Sequence, residues 1–255
     1  MTDTRLKIDI RRSKILEILK REGKVFVTEL SRKLDVTPVT IRCDLGALER
    51  EGHLERISGG AILSQRLSAP TAAEGENTAE KEAIARAIVK MISDGDTVFI
   101  NSGTTAMMAA RELKRLSSLK IVTNYVAVAT VLSDAPSFRV IMLGGELNAR
   151  YGFTYGHDAQ DKLRGFHADF AILSVDGISA DGGITTYHAE EAIIDRMMIH
   201  GADEAFIVAD STKVGRAGFM RVHDSTLGIH LVTGKEADKY ELDRLSAQKV
   251  IITTA

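Results

Sequence analysis

From Asp96 onward the chain repeats one pattern: a short apolar run stops at small or polar residues, and a helical stretch follows before the next run. Thr97–Ile100 runs into Asn101-Ser102-Gly103-Thr104-Thr105, Lys120–Val122 into Thr123-Asn124, and Arg139–Leu143 into Gly144-Gly145-Glu146. Ala168–Val175 ends in Asp176-Gly177, Ala205–Ala209 in Asp210-Ser211-Thr212-Lys213, and Leu227–Val232 in Thr233-Gly234, while Lys249–Thr253 closes the chain. Helical patterns cover Glu82–Met91, Thr105–Leu116, Tyr125–Leu132, His188–His200 and Ala237–Leu245. Strands that alternate with helices run parallel, because each helix returns the chain to the edge where the next strand starts. The fold class is therefore α/β with a mostly parallel sheet. Ligands on such sheets bind outside the carboxyl ends of the strands, where all these polar endings fall.

The first quarter of the chain reads differently. Ile8, Ile15 and Leu19, with Leu16 and Ile18 beside them, form a helical stripe that Gly23 can end. Lys24–Val27 reads as one short strand, and Thr28 as the cap of a short helix carrying Leu30 and Leu34. After a turn at Asp35-Val36, Thr37 is the expected N-cap, Pro38 the first helical residue and Gly52 the stop of a third helix. His53–Ile62 then reads as a hairpin with Gly59-Gly60 near its tip or end. This order is that of a winged helix-turn-helix, whose third helix suits a DNA major groove. With Ile41, Leu45 and Leu48 buried, Val39, Cys43, Gly46 and Arg50 point away from the core and Thr40 and Arg42 lie on the flanks. Together with Thr37 these are the candidate DNA-binding residues. The bland alternative is a helical protein-interaction module with solvated charges.

Charge agrees with this division. Residues 1–66 hold 14 Lys and Arg against 10 Asp and Glu, whereas the remainder holds 19 against 25. A basic head on an acidic body fits a polyanion bound by the head. Ser64–Glu80 has almost no apolar periodicity, which gives a DNA-binding domain over 1–63, a linker over 64–80 and an α/β domain over 81–255. One cysteine excludes an intramolecular disulfide framework and a cysteine-based zinc cluster, and seven scattered histidines show no metal-ligand spacing. No metal or cofactor is expected. No apolar run approaches a membrane span and the N-terminus lacks a signal-peptide core, so the reducing cytoplasm is the expected compartment.

Within the body, Ser102-Gly103-Thr104-Thr105 follows a strand and opens a helix, so backbone N–H groups, hydroxyls and the helix dipole can address an anion. It matches neither a Walker loop nor a dinucleotide fingerprint. A capped helix start needing a glycine for its turn explains the same residues equally well. Lys213 and Asn124, on loops at the same sheet edge, tip the balance toward a phosphate site. Asp176, Glu190, Glu191 and Asp210 are candidates for acid–base groups or sugar-hydroxyl acceptors, although Glu190 reads better as a solvated charge.

The run ILEILKREGKVFVTELSRKLDVTPVTIRCDLGALEREGHLERISGGA, within Arg11–Ala61, resembles the DNA-binding head of DeoR-type bacterial repressors. The motifs SGTT, TN, LGGEL, VDGISADGGITT, EEA and ADSTKVG, over about Glu80 to Gly218, resemble the effector domain of the same family, which is similar to ribose-5-phosphate isomerase. The resemblance implies that Ser102–Thr105, Asn124, Gly144-Gly145, Asp176, Glu191 and Lys213 border a phosphosugar pocket. Three positions depart from the family pattern: Cys43 where Arg is usual, Asn101 where many members have Asp, and Asp195 where a basic residue is frequent. The expected function is a transcriptional regulator, a repressor of sugar-metabolism genes, that binds double-stranded operator DNA as a homodimer or homotetramer under control of a phosphorylated sugar. The alternative is a sugar-phosphate isomerase with an appended DNA-binding head.

Overall fold

A computed structural model describes residues 2–50, 54–57, 59–63, 77–223 and 228–255. The chain divides into two compact units, Met1–Leu67 and Ser68–Ala255. The first unit contains α1 (Thr2–Glu22), β1 (Lys24–Phe26), α2 (Val27–Lys33), α3 (Pro38–Arg50), β2 (Leu54–Ile57) and β3 (Gly60–Leu63). Its three strands form an antiparallel sheet in the order β1-β3-β2. Gly23 takes a φ of +71° and ends α1, as its sequence position predicts. Thr37 caps α3 by accepting from the Thr40 N–H at 3.2 Å. Thr28 is not the cap of α2, which begins one residue earlier at Val27, with Phe26 at its cap position and no side-chain bond there. Val27 is buried in the head's core, so packing sets this helix start. The expected stop at Gly52 lies outside the described residues.

Ile15, Leu19, Leu30, Ile41, Leu45, Leu48 and Leu54 fill that core. One polar group joins them. Asp44, on the inner side of α3, is 2 % exposed and receives Arg11 Nε at 2.5 Å, Arg11 Nη2 at 3.2 Å and Arg12 Nε at 3.3 Å. Two guanidinium groups from α1 thus fix the rotation of α3, because a buried carboxylate cannot be left unpaired.

The second unit opens with α4 (Thr78–Val89), which starts inside the expected linker; residues 64–76 of that linker lie outside the description. There follow β4 (Thr97–Ile100), α5 (Thr104–Leu113), β5 (Lys120–Thr123), α6 (Val126–Val131) and β6 (Arg139–Met142). Next come β7 (Glu146–Asn148), β8 (Phe153–Tyr155), α7 (His157–Arg164), β9 (Ala168–Ser174), β10 (Gly177–Ser179) and β11 (Gly183–Thr186). The chain ends with α8 (Ala189–His200), β12 (Ala202–Ala209), β13 (Met220–His223), β14 (Ile229–Thr233), α9 (Lys239–Ala247) and β15 (Ile251–Thr254). Seven strands form one sheet, in the order β15-β14-β12-β9-β4-β5-β6, and every pairing in it is parallel.

Both faces of this sheet are covered, which is why its strands read as unbroken apolar runs. Phe99, Ala171, Leu173, Ala205 and Ile207 point to the side packed by α7, α8 and α9 through Leu163, Ile194, Met198 and Leu245. Their neighbours Val98, Ile100, Ile172, Phe206 and Val208 point to the other side, against Ile84, Met107 and Ala127 of α4, α5 and α6. The sequence pattern missed α7 and the short strands β7, β8, β10, β11 and β13. In α7 only Ala159 and Leu163 are buried, one i,i+4 pair on an otherwise polar helix. The small antiparallel sheet β10-β11-β13 is built from glycine-rich segments too short to show alternation.

Asp44→Ala is expected to destabilise the head by about 1.5–3 kcal/mol, the usual cost of losing hydrogen bonds to a charged group. Hydrogen exchange on the full chain checks this: protection should fall across α1 and α3 and stay unchanged in the α/β unit.

Candidate functional site

The carboxyl ends of β4, β9 and β12 lie side by side in the sheet, and the turns that leave them bring together residues distant in sequence. After β4, Asn101 and Ser102 are buried and Gly103 takes a φ of +134° to start α5. A side chain on Gly103 would overlap Ser174 Cβ at the end of β9, so this position needs glycine for both conformation and space. Gly103 at the cap position supplies no side-chain bond, and Ser174 Oγ from the end of β9 accepts from the Ala106 N–H of the first turn at 2.8 Å. The remaining first-turn N–H groups are of the kind that can address an anion.

Four of the expected residues join through a fifth that sequence reasoning did not single out. Ser102 Oγ donates to Glu191 Oε1. Thr186 Oγ1 lies 2.6 Å from Glu191 Oε2 and 3.0 Å from Asp176 Oδ2, which also accepts from the Tyr187 N–H at 3.0 Å. Lys213 Nζ is 3.9 Å from Asp176 Oδ1. The Thr186 hydroxyl has one proton for the two carboxyl groups it bridges, and through it Asp176 and Glu191 are held in one hydrogen-bonded group. Burial and the nearby Asp176 charge push the Glu191 carboxyl up, against the hydrogen bonds from Ser102 and Thr186. Burial, with a smaller contribution from Asp176, pushes the Tyr187 phenol up to about 12.

A further carboxyl lies one helical turn beyond Glu191. Asp195 is fully buried, accepts from Asn101 Nδ2 at 2.9 Å through Oδ1, and has no partner at Oδ2. The Asn101 amide is itself held on both sides by Ser174 at the end of β9, donating to the Ser174 carbonyl at 2.9 Å and accepting from the Ser174 N–H at 2.8 Å. Burial first, then the Glu191 charge, raises the Asp195 carboxyl well above its ordinary range. The two departures noted in the sequence, Asn101 and Asp195, are therefore one contact.

Other expected residues are placed elsewhere. Asn124 is buried and donates through Nδ2 to the Thr154 carbonyl of β8 at 3.1 Å, while its Oδ1 is buried without a partner. Gly144 and Gly145 are exposed, and a side chain on Gly145, at a φ of +105°, would overlap the Tyr155 carbonyl. Asn124 and Gly145 meet β8, Gly144 has nothing within 4 Å of where a Cβ would stand, and no hydrogen bond described for these residues reaches the Asp176–Glu191 group. Thr104 is exposed and Thr105 buried. Asp210, expected as an acid–base group or hydroxyl acceptor, caps its own turn by accepting from the Thr212 N–H at 3.1 Å. Glu190 is exposed, as read from the sequence. Among the described residues, no group of three His, Cys, Asp or Glu can hold a metal ion. Thr186 and Ser174 carried no individual signal beyond lying in or near glycine-rich or apolar runs, and Asp195 stood out only as a departure from the family pattern.

On the head, the outer face of α3 carries Val39, which is 64 % exposed, together with exposed Arg42 and Cys43. Thr40 is half-buried, with Oγ1 2.9 Å from Thr37 Oγ1. Gly46 has nothing within 4 Å of where a Cβ would stand, so this face is open at its middle. The Arg50 side chain lies outside the description.

Residues 11–66 match the DeoR-like helix-turn-helix domain, and residues 76–235 match the DeoR C-terminal sensor domain. The chain belongs to the DeoR family of transcriptional regulators. It is 37 % identical over 208 residues to the glycerol-3-phosphate regulon repressor of Escherichia coli K12, covering 81 % of this chain and 82 % of that one. It is 33 % identical over 248 residues to the lactose phosphotransferase system repressor of Lactococcus lactis, covering 95 % and 97 %. Among solved structures, ribose 5-phosphate isomerase A of Methanocaldococcus jannaschii aligns over 52 % of each chain with a TM-score of 0.39 and 15 % identity. No described helix of this DeoR-family chain is long and apolar enough to cross a membrane.

Glu191 and Asp195 hold protons more tightly in the folded chain than in the unfolded one. Their contribution to the stability of the α/β unit is therefore fully present below their ordinary values of 4.5 and 3.8 and is lost as the pH rises through the raised folded values. Asp195→Asn keeps the contact with Asn101 and removes one of these titrations. Urea unfolding at about pH 5 and about pH 9 should show a smaller loss of stability for this variant than for the wild type. Equal losses would mean that Asp195 is ionised when folded.

Proposed function

We propose that this chain is a cytoplasmic repressor of sugar-metabolism genes that binds operator DNA as a homodimer or homotetramer and releases it when a phosphorylated sugar occupies the α/β unit. The observation that carries the reading is the line of contacts from the start of α5 through Ser102, Glu191, Thr186 and Asp176 to Lys213. At one end it offers helix N–H groups and at the other an ammonium, the two kinds of donor that a phosphate takes. Between them lie carboxyl and hydroxyl groups that match sugar hydroxyls. The names of the two relatives tie those proteins to glycerol 3-phosphate and to a lactose phosphotransferase system. A phosphate-bearing polyol or sugar is the ligand class that fits both the names and the donors.

An isomerase would need Glu191 or Asp176 as a general base beside the substrate carbon. A Glu191 raised toward its neutral form and held by Ser102 and Thr186 serves better as a hydrogen-bonding partner than as a base. This supports binding without turnover, and a turnover assay with pentose and hexose phosphates checks it.

On the head, Val39, Thr40, Arg42, Cys43, Gly46 and Arg50, with the cap residue Thr37, form the proposed operator face. If Arg42 makes a bidentate base contact, Arg42→Ala should weaken operator binding by about 1–3 kcal/mol and relax sequence preference at one position. Binding to operator and to scrambled DNA at several salt concentrations measures both effects. Lys213→Ala should weaken sugar-phosphate binding about 10- to 100-fold, from the loss of a charged hydrogen bond, with little change in operator affinity. Titration of sugar phosphate into the protein–operator complex should then show the release midpoint moved by that factor. Coincident release curves for the two proteins would remove Lys213 from the site.

A further inference from the structure

The first turn of α4 grips the turn that carries Lys213. Glu80 Oε1 accepts from the Ser211 N–H at 2.7 Å, and Glu80 Oε2 accepts from the Ser211 hydroxyl at 3.2 Å. Asn77 Nδ2 donates to Asp210 Oδ1 at 3.3 Å, and Lys81 Nζ stands 3.8 Å from Asp210 Oδ2. Gly234, just past β14, leaves room for this grip, since a methyl group there would overlap the Glu80 carboxylate. Neither partner needs the contact for its own shape. The apolar face of α4 is anchored by Ile84, Ala85 and Ile88, and the turn Ser211–Lys213 is closed by Asp210, which accepts from Thr212 and whose carbonyl accepts the Lys213 N–H at 2.9 Å. Residues 64–76 join this same end of α4 to the DNA-binding head.

We infer that Glu80 is the residue that transmits occupancy of the sugar-phosphate site to the head: it couples the Ser211–Lys213 turn to the point where the chain enters α4, and thereby sets how far the effector changes operator affinity. The inference rests on the phosphosugar reading of the site. A phosphate that engages Lys213 competes with Asp176, 3.9 Å from the ammonium, and the turn that carries Lys213 is three residues long and internally hydrogen-bonded. Such a turn responds as a unit, with Ser211 at its other end held by a charged acceptor. A shift there reaches the start of α4 through the Glu80 carboxylate, the one group of α4 that holds Ser211 by both its N–H and its hydroxyl, with Asn77 and Lys81 held to Asp210 beside it. Coupling of this kind requires that the two arrangements differ in effector affinity, and its size is a ratio of operator affinities.

The test uses the full chain, DNA enriched by the wild-type protein from a random-sequence library, and four probes: sn-glycerol 3-phosphate, D-ribose 5-phosphate, D-glucose 6-phosphate and inorganic phosphate. Calorimetry gives probe affinity for the DNA-free protein, and fluorescence anisotropy gives operator affinity with and without saturating probe. Wild type should show a coupling factor of about 5 to 150. Glu80→Ala and Gly234→Ala should each reduce it to below about threefold while probe affinity stays within about threefold of wild type. Gly234→Ala displaces the carboxylate without removing it, so the result does not depend on Glu80→Ala folding well. Glu80→Gln, which keeps an acceptor for the Ser211 N–H, should retain more coupling than Glu80→Ala. Wild-type coupling in both alanine variants would overturn the inference. So would a loss of probe affinity as large as the loss of coupling, which would place Glu80 in the binding site itself. If none of the probes binds the wild-type chain, the phosphosugar reading falls first and the transmission role falls with it.

Discussion

A parallel strand buried on both faces has no solvent side on which to carry polar chemistry, so any polar site is forced to the strand ends. This constraint organises the α/β unit. Phe99, Leu173 and Ile207 face one helical layer while Val98, Ile172 and Phe206 face the other, and the first polar side chains appear only where β4 and β9 stop. Asn101, Ser102, Ser174 and Asp176 are those stops. Glu191 and Asp195 reach the same edge from α8, and Thr186 from β11. Once the seven-stranded sheet forms, the carboxyl cluster follows from its topology.

The same edge concentrates carboxyl groups in a poorly solvated place, and the structure handles this by protonation and hydroxyl bridging. Asp176 is the member with a cation nearby, Lys213, and with the backbone N–H of Tyr187 as a donor. Glu191 and Asp195 sit deeper and are raised by burial. The proposed phosphosugar reading rests on this combination of carboxyl groups, hydroxyls, an ammonium and the start of α5 at one sheet edge. The head solves the opposite problem. There the buried Asp44 is paired with Arg11 and Arg12, which gives α3 a fixed orientation rather than a binding site.

Much of this was legible in the sequence because it is carried by local patterns. Pro38 after Thr37, the stripe Ile41, Leu45 and Leu48, and the apolar runs ending in Ser102, Asn124, Asp176 and Lys213 each report an element and its direction from neighbouring residues alone. What escaped depends on contacts between distant segments. Nothing near Thr186 says that it bridges Asp176 and Glu191, and the pairing of Asn101 with Asp195 spans 94 positions. Glu80 fell in a stretch that reads as linker, yet its partner lies 131 positions away at Ser211. Thr28 shows the converse error, a good capping residue overruled because burying Val27 starts α2 earlier. Gly144 and Gly145 were grouped with the site by the family resemblance, and the sequence did not show that Gly145 also lets β8 approach closely.

The central claim is that a phosphorylated sugar at this edge and operator DNA on α3 oppose one another within one molecule. Linkage makes that claim measurable from either side, since each ligand must change the affinity of the other by the same factor. The most direct measurement is the affinity of one sugar phosphate for the full chain, free and saturated with operator, set beside the operator affinity with and without that sugar phosphate. The account predicts two equal ratios of about 5 to 150, both in the direction of mutual weakening. Sugar-phosphate binding with the same affinity to the free and the operator-bound chain would contradict it.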